Sequence, residues 1–395
     1  MAMDRLLQLM AEKKASDLFI APGSPVNLKI NGVSIPVGQQ KLDPTAVKNL
    51  LREIISEVQW ASFEQKRELN MAHGLRGVGS FRISVFQQRG TPAAVIRYIP
   101  SDIPAFDTLS LPPVLTELIM EKRGLILVVG ATGSGKSTSL ASLLDYRNER
   151  RSGHILTMED PIEFIYRNKR SIVNQREIGT DSDSLQIALK NAMRQAPDCV
   201  MIGEIRDADT MSAALAYSQS GHLVVSTLHA NNSYHALNRV ISFYPPDNRR
   251  TLLGDLSTSL RCVLSQRLLR AQSGGRVPAA ELLLNTSHIA ELIEQARVSE
   301  IKEAMEKSLA PGSQTFDQSL VRLVREGKVS RDDAIANADS ATNLLWLLDN
   351  FQEVRAAASA PVGASAPDTP VSLQQPPAPT AKPDAATFSE FLLNI

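Results

Sequence analysis

The sequence predicts an α/β protein: a parallel sheet covered by helices on both faces, preceded by a small α+β domain. Two observations carry this. Between residues 124 and 230 the unmixed apolar runs "LILVV", "HILTM", "CVMIG" and "LVVST" alternate with helical segments such as "STSLASLLDYRNERR" and "SDSLQIALKNAMRQ". Continuous apolar strands separated by helices belong to parallel sheets buried on both sides. Ahead of them, "SDLFI", "VNLKING" and "SFRISVF" lie between Gly, Pro and Asn turn signals, the pattern of short strands in a smaller domain.

In chain order, "MAMDRLLQLMAEKK" spaces Leu6, Leu7 and Met10 at helical intervals among charges, so it reads as an amphipathic surface helix and not as a signal peptide. Residues 1–100 are assigned to the α+β domain. "PSDIPAFDTLSLPP" carries four prolines, which suit neither a helix interior nor a central strand, and 101–113 is therefore read as an interdomain linker. Residues 114–352 form the second domain, with a predominantly helical part from 235 onward in which "TLLGDLSTSLRCVLSQRLL" reads as helix. Residues 353–395 are Ala-, Pro- and Ser-rich, with seven prolines between Pro361 and Pro383, and are expected to be disordered because so little apolar surface cannot offset ordering entropy. Phe388, Phe391, Leu392 and Ile395 close that tail at helical spacing, which fits either an inert terminus or a tethered docking element.

Forty-two basic residues balance 42 acidic ones, so net charge gives no reason to expect a nucleic-acid partner. Two cysteines among 395 residues build neither a disulfide framework nor a four-cysteine zinc site. No apolar run approaches the roughly 20 residues of a membrane span. A soluble, cytoplasmic protein is expected.

The chemistry centres on "GATGSGKST", Gly130 to Thr138. Gly130, Gly135, Lys136 and Ser137 match a P-loop placed between an expected strand and an expected helix. With Ala131, Thr132, Gly133, Ser134 and Thr138 they form a cradle in which backbone N–H groups and the helix dipole face phosphate oxygens. Lys136 is assigned to the β and γ phosphates of ATP, and the Ser137 hydroxyl to Mg²⁺. Hydrolysis also needs carboxylates at neighbouring strand ends. "LTMEDPIEF" supplies Glu159, Asp160 and Glu163, and "PDCVMIGEIRD" supplies Glu204. One of them is expected to steady the metal and another to polarise the attacking water, and the sequence leaves that choice open. Asp160 before Pro161 equally suits a helix cap. "GHLVVSTLH" brackets a strand with His222 and His229. Their odd separation argues against shared metal ligation, while His229, at the carboxyl end, lies where open α/β sheets bind ligands and suits a γ-phosphate sensor. His222 is as readily structural.

These motifs, in this order, resemble the type IV pilus retraction ATPases of the PilT/PilU family within the secretion-type ATPases. The resemblance covers roughly residues 3 to 345, and "RNERRSGHILTMEDPIEF", "NAMRQAPDCVMIGEIRD" and "STLHANN" look closer to PilU than to PilT. It implies a PAS-like N-terminal domain followed by a RecA-like P-loop ATPase domain with a helical C-terminal part. It also implies Glu163 as catalytic base, Glu204 as the Walker B acid and metal-side group, and His222 and His229 as the histidine box. Arg82 in "SFRIS" and Arg97 in "VIRYIP" match arginines that complete a neighbour's ATP site. In "FRISV" the alternation of Phe81, Ile83 and Val85 leaves Arg82 on the opposite face.

Where retraction motors carry an "AIRNLIRE"-like motif this chain reads "IAELIEQARVSEIK", so an accessory role beside a PilT-type motor is expected. The implied assembly is a homo-hexameric ring at the inner-membrane base of the pilus, with the platform protein as a further partner. The lack of a CxxC pair separates the chain from the pilus-extension ATPases. A secretion or conjugation ATPase and a non-hydrolysing regulatory subunit are the competing readings.

Overall fold

The computed structural model describes residues 2–359, apart from residues 31, 100 and 101, with side chains described to residue 350. The apolar terminus at 388–395 lies outside the described residues.

The first six strands form one antiparallel sheet: β1 (Asp17–Ile20), β2 (Asn27–Ile30), β3 (Val33–Pro36), β4 (Glu68–Leu75), β5 (Gly79–Gln88) and β6 (Thr91–Ile99), in the order β3-β2-β1-β6-β5-β4. Period-two patterning gives it one apolar face: Phe81, Ile83 and Val85 of β5 are buried, and Arg82 and Ser84 alternate onto the other side. Met3, Leu7 and Met10 of helix Ala2–Glu12, Val47 and Leu51 of helix Pro44–Arg52, and Trp60 and Phe63 of helix Glu57–Lys66 join that core. The helices start where the sequence supplies caps, at Asp43 and at the Ser56/Gln59 capping box.

The Pro-rich connector is no free spacer. Phe106 and Leu111 are buried in the core of the second sheet beside Leu115 and Ile119.

That sheet has seven strands: β7 (Gly124–Val129), β8 (Gly153–Glu159), β9 (Ser171–Glu177), β10 (Cys199–Ile202), β11 (Leu223–Leu228), β12 (Leu260–Arg270) and β13 (Arg276–Leu284), in the order β13-β12-β7-β11-β10-β8-β9. All neighbours are parallel except the β12–β13 hairpin. Helix Lys136–Arg150 follows β7, Ala208–Gln219 follows β10, and Ser233–Ser242 follows β11. Every residue of β7, β10 and β11 is buried, as the unmixed apolar runs require.

The helical assignment from 235 onward needs correction. Helix Pro246–Ser259 ends at Ser259 and Leu260 begins β12, which pairs with the P-loop strand β7. A buried apolar run such as "LRCVLSQRLL" has no period that tells helix from strand, and burial on both faces of the sheet settled it. Helices return at Ser287–Glu294, Phe316–Arg325, Arg331–Ala336 and Ala341–Ser359. The last passes the expected boundary at 353. No described helix is long and apolar enough to cross a membrane.

Candidate active site

The carboxyl ends of β7, β8, β10 and β11 open on one cavity of about 390 Å³, the edge at which open parallel sheets bind ligands. Among its lining residues are Thr132, Gly133, Lys136, Ser137, Glu163 and Glu204.

The loop from Gly130 to Gly135 adopts backbone angles that side chains resist. Gly130, Gly133 and Gly135 have φ of 155°, 78° and 91°. A Cβ on Gly130 would lie 2.3 Å from Ser134 Oγ and 2.6 Å from the Gln266 carbonyl, so that position admits no side chain. Gly135 is the N-cap of helix Lys136–Arg150 and turns the amide-rich amino end toward the cavity. The Lys136 ammonium donates to the carbonyls of Gly130 and Ala131 at 2.9 and 3.0 Å. Burial lowers its pKa, while Glu204 and Glu163 oppose the shift.

Glu204 lies two residues beyond β10. Its two carboxylate oxygens meet different side chains, Arg206 Nε at 2.8 Å and His229 Nε2 at 3.3 Å. Gly203 lets this segment pass close to β8: its N–H donates to the Met158 carbonyl at 2.8 Å, and a Cβ there would stand 3.2 Å from that oxygen. Thr227 of β11 donates to the Gly203 carbonyl at 2.7 Å. The short side chains around Glu204 thus fix its backbone from both neighbouring strands.

The acidic box is braced from inside. Glu159 is buried and accepts hydrogen bonds from Thr157 at 2.7 Å and Gln175 at 3.3 Å. Burial raises its pKa, and those two bonds pull the other way. The Glu163 N–H reaches the second Glu159 oxygen at 3.4 Å. Glu177, at the end of β9, accepts the Ile162 N–H at 3.1 Å. The Glu163 carboxylate itself has no hydrogen-bond or ion-pair partner among the described residues. No helix follows Asp160, so the capping alternative falls away, and Asp160 lines the cavity instead.

The structure thus brings the P-loop, Glu159, Asp160, Glu163, Glu204 and His229 together. It does not bring His222 to them. That residue precedes β11 at its amino end, where its ring meets the Tyr217 carbonyl at 3.2 Å and Ser220 Oγ at 3.1 Å. One strand cannot present both of its ends to the same cavity, so His222 does not line the nucleotide-sized space in this chain.

Arg82 and Arg97 are cross-strand partners in β5 and β6, and like charges set directly opposite are unfavourable. Arg97 Nε is held at 2.8 Å by the buried Asp17 of β1. Arg82 is half-buried, its pKa lowered first by burial and further by Arg97, while Glu163, Glu177 and Asp160 act to raise it. Its Nε is buried without a hydrogen-bond partner. The Arg82 charge therefore already acts on the acidic box of its own chain.

Sequence reasoning missed Thr157, Gln175, Glu177, Arg206 and Thr227. Arg206 and Thr227 belong to quoted motifs, and their places beside Glu204 and His229 in the sequence are the available signal. Glu177 and Gln175 lie on the polar edge strand β9, which gave none.

Comparison with known proteins follows the same lines. The family described as Type II/IV secretion system protein matches residues 2–336. The type IV pilus ATPase PilU of Pseudomonas aeruginosa is 45% identical over 349 residues, covering 88% of this chain and 91% of the relative. The type IV pilus retraction ATPase PilT of the same organism is 36% identical, covering 87% and 100%. Among solved structures, the crystal structure of the pilus retraction motor PilT with bound ADP superposes with a TM-score of 0.81 at 37% identity, covering 86% of this chain and 98% of that one.

Proposed function

This chain belongs to the type II/IV secretion system protein family, and from that premise we infer that it is an ATPase that powers type IV pilus retraction, as an accessory subunit of the PilU kind. One observation carries the reading: Lys136 at the start of the helix after β7, Glu163 beyond β8 and Glu204 beyond β10 face a single cavity, which supplies a phosphate-binding cation, a base and a metal-side acid in one place.

The two acids divide the work by their surroundings. Glu204 is held by Arg206 and His229, so it suits a fixed charge beside the metal. Among the described residues Glu163 is tethered through its backbone N–H alone, which leaves its carboxylate able to take a water proton. Mg²⁺ fits the oxygen donors present: the Ser137 hydroxyl and the Glu204 carboxylate line the same cavity, and magnesium prefers few protein oxygens together with phosphates and water. When bound it would neutralise charge on the β and γ phosphates. Lys136 and the P-loop amides hold those phosphates, and Arg82 and Arg97 are assigned to the ATP site of a neighbouring subunit, as the family resemblance implies. The order β2-β1-β6-β5-β4, with two helices between β3 and β4, supports the PAS-like reading of that domain, and a central P-loop strand flanked by β11 and β12 supports the RecA-like reading of the second.

We place the protein as a ring, a hexamer by analogy with the family, at the cytoplasmic base of the pilus beside a PilT-type motor and the platform protein. Steady-state phosphate release by the purified chain with Mg²⁺ and ATP tests the enzymatic part. A chain that binds ATP but releases no phosphate, alone or with a PilT-type partner, is a regulatory subunit instead. A deletion strain with normal pilus retraction and altered secretion would move the protein to the secretion ATPases.

A further inference from the structure

The loop that carries His229 into the cavity is tied, on its far side, to the carboxyl-terminal part of the ATPase domain. Two residues outside the nucleotide cavity make the ties. Glu281 of β13 is buried, and its Oε1 accepts hydrogen bonds from the Ser233 N–H and hydroxyl, each at 2.7 Å, and from Ser265 Oγ at 3.3 Å. Ser233 opens helix Ser233–Ser242, whose N-cap Asn232 accepts the His235 N–H at 2.9 Å. The loop is therefore clamped at one end by β11 and at the other by a buried carboxyl group, and only 229–232 lies between.

The Arg267 guanidinium reaches into that interval. Arg267 of β12 donates through Nη2 to the Asn231 carbonyl at 3.4 Å. The same group donates through Nη1 to the Asn337 carbonyl at 2.6 Å and through Nη2 to Asp339 Oδ1 at 2.5 Å. Phe316 lies 3.9 Å beneath its face. The guanidinium is planar and rigid, so its partners on the two sides are geometrically linked. Displacement of 337–339 turns the plane, and the long bond to Asn231 is the contact that yields first.

We propose that Arg267 is a positioning residue for hydrolysis, setting His229 against Glu204 and making that placement depend on the segment 337–339, while Glu281 supplies the fixed end of the loop. The proposal rests on the ATPase reading above. Within a ring it gives the carboxyl-terminal helices a physical handle on the catalytic site, since whatever displaces them acts through Arg267 on the His229–Glu204 contact.

The test is a double-mutant cycle on the full chain, read by steady-state phosphate release. Arg267→Ala is expected to lower kcat about tenfold, the rate equivalent of one misplaced charge-assisted hydrogen bond, with KM for ATP within about twofold because the phosphate cradle is untouched. In the His229→Ala background the same substitution is expected to cost nothing further, because the residue through which it acts is gone. Losses that multiply, or an Arg267→Ala chain with unchanged kcat, would overturn the proposal. Should Arg267→Ala fail to fold, Asp339→Asn keeps the guanidinium and removes one charged partner. A kcat loss of about threefold, confined to the His229 background, supports the proposal, and an unchanged kcat refutes it. If the ATPase reading itself is at fault the unsubstituted chain releases no phosphate, an outcome separate from any of these.

Discussion

The two edges of the parallel sheet carry the same kinds of side chain and use them differently. At the amino edge, Asp198 accepts the His154 N–H at 2.7 Å, His154 Nδ1 meets the Gln195 carbonyl at 2.9 Å, and His222 meets the Tyr217 carbonyl. Each polar group there closes a backbone gap between a strand and a loop. At the carboxyl edge, Glu204 and His229 meet each other, Lys136 feels both Glu204 and Glu163, and the Glu163 carboxylate is left free among the described residues. An acid or a histidine satisfied by backbone serves the fold. One that faces other ionisable groups across a cavity is in place for chemistry.

The largest expected effect breaks the carboxyl edge at its cation. Lys136→Ala should lower phosphate release by about a thousandfold or more, since the ammonium and the loop amides neutralise charge that develops in transfer. The matching change at the other edge, Asp198→Ala, should leave kcat within about twofold while lowering stability by about 0.5–1.5 kcal/mol, the net worth of one hydrogen bond that water can replace. Phosphate release and denaturant midpoints for both variants check the contrast. A Lys136→Ala chain with near-normal turnover would dissolve it.

Next come the acids. Glu163→Gln and Glu204→Gln should each reduce kcat by about a hundredfold while nucleotide affinity, followed by fluorescent-ADP titration, stays within a few-fold, because both groups act after the phosphates are seated. Equal loss of affinity and turnover in Glu163→Gln would make that residue structural.

A smaller effect separates the two histidines. His229→Ala removes the 3.3 Å contact with Glu204 and should cost about tenfold in kcat, as loss of a hydrogen bond to a charged group does. His222→Ala loses only contacts with Ser220 and a backbone carbonyl and should leave the rate unchanged. Comparable losses in both would mean that the amino edge also reaches a catalytic site, through a second copy of the chain.

This contrast also marks what the sequence made legible. The four buried strands, the P-loop and the acids that follow β8 and β10 were readable because apolar runs and glycine spacing are local signals. The edge strand β9 was not, because a polar, half-exposed strand has no distinctive pattern, and with it went Gln175 and Glu177. β12 was read as helix because a strand buried on both faces shows no alternation. The roles of the histidines needed the strand order. Only when β11 lies between β7 and β10 does its carboxyl end, and so His229, arrive beside Glu204.

The smallest effect concerns Glu159, a residue that belongs to both descriptions, buried like a fold residue yet lining the cavity. Burial raises its carboxyl pKa above the ordinary value, against the pull of Thr157 and Gln175. A carboxyl group with a raised folded pKa holds its proton more tightly in the folded state. The stability this contributes is complete below the unfolded value of about 4.3, and it is lost as pH rises through the folded value. Glutamine cannot ionise, and its amide oxygen can still accept from Thr157 and Gln175. Glu159→Gln should therefore match the natural chain in stability near about pH 4 and gain on it steadily toward about pH 7. Urea midpoints for both chains across that range test the sign. Parallel curves would mean that the carboxylate is as well solvated in the fold as out of it, and that Glu159 is a cavity residue whose burial carries no electrostatic cost.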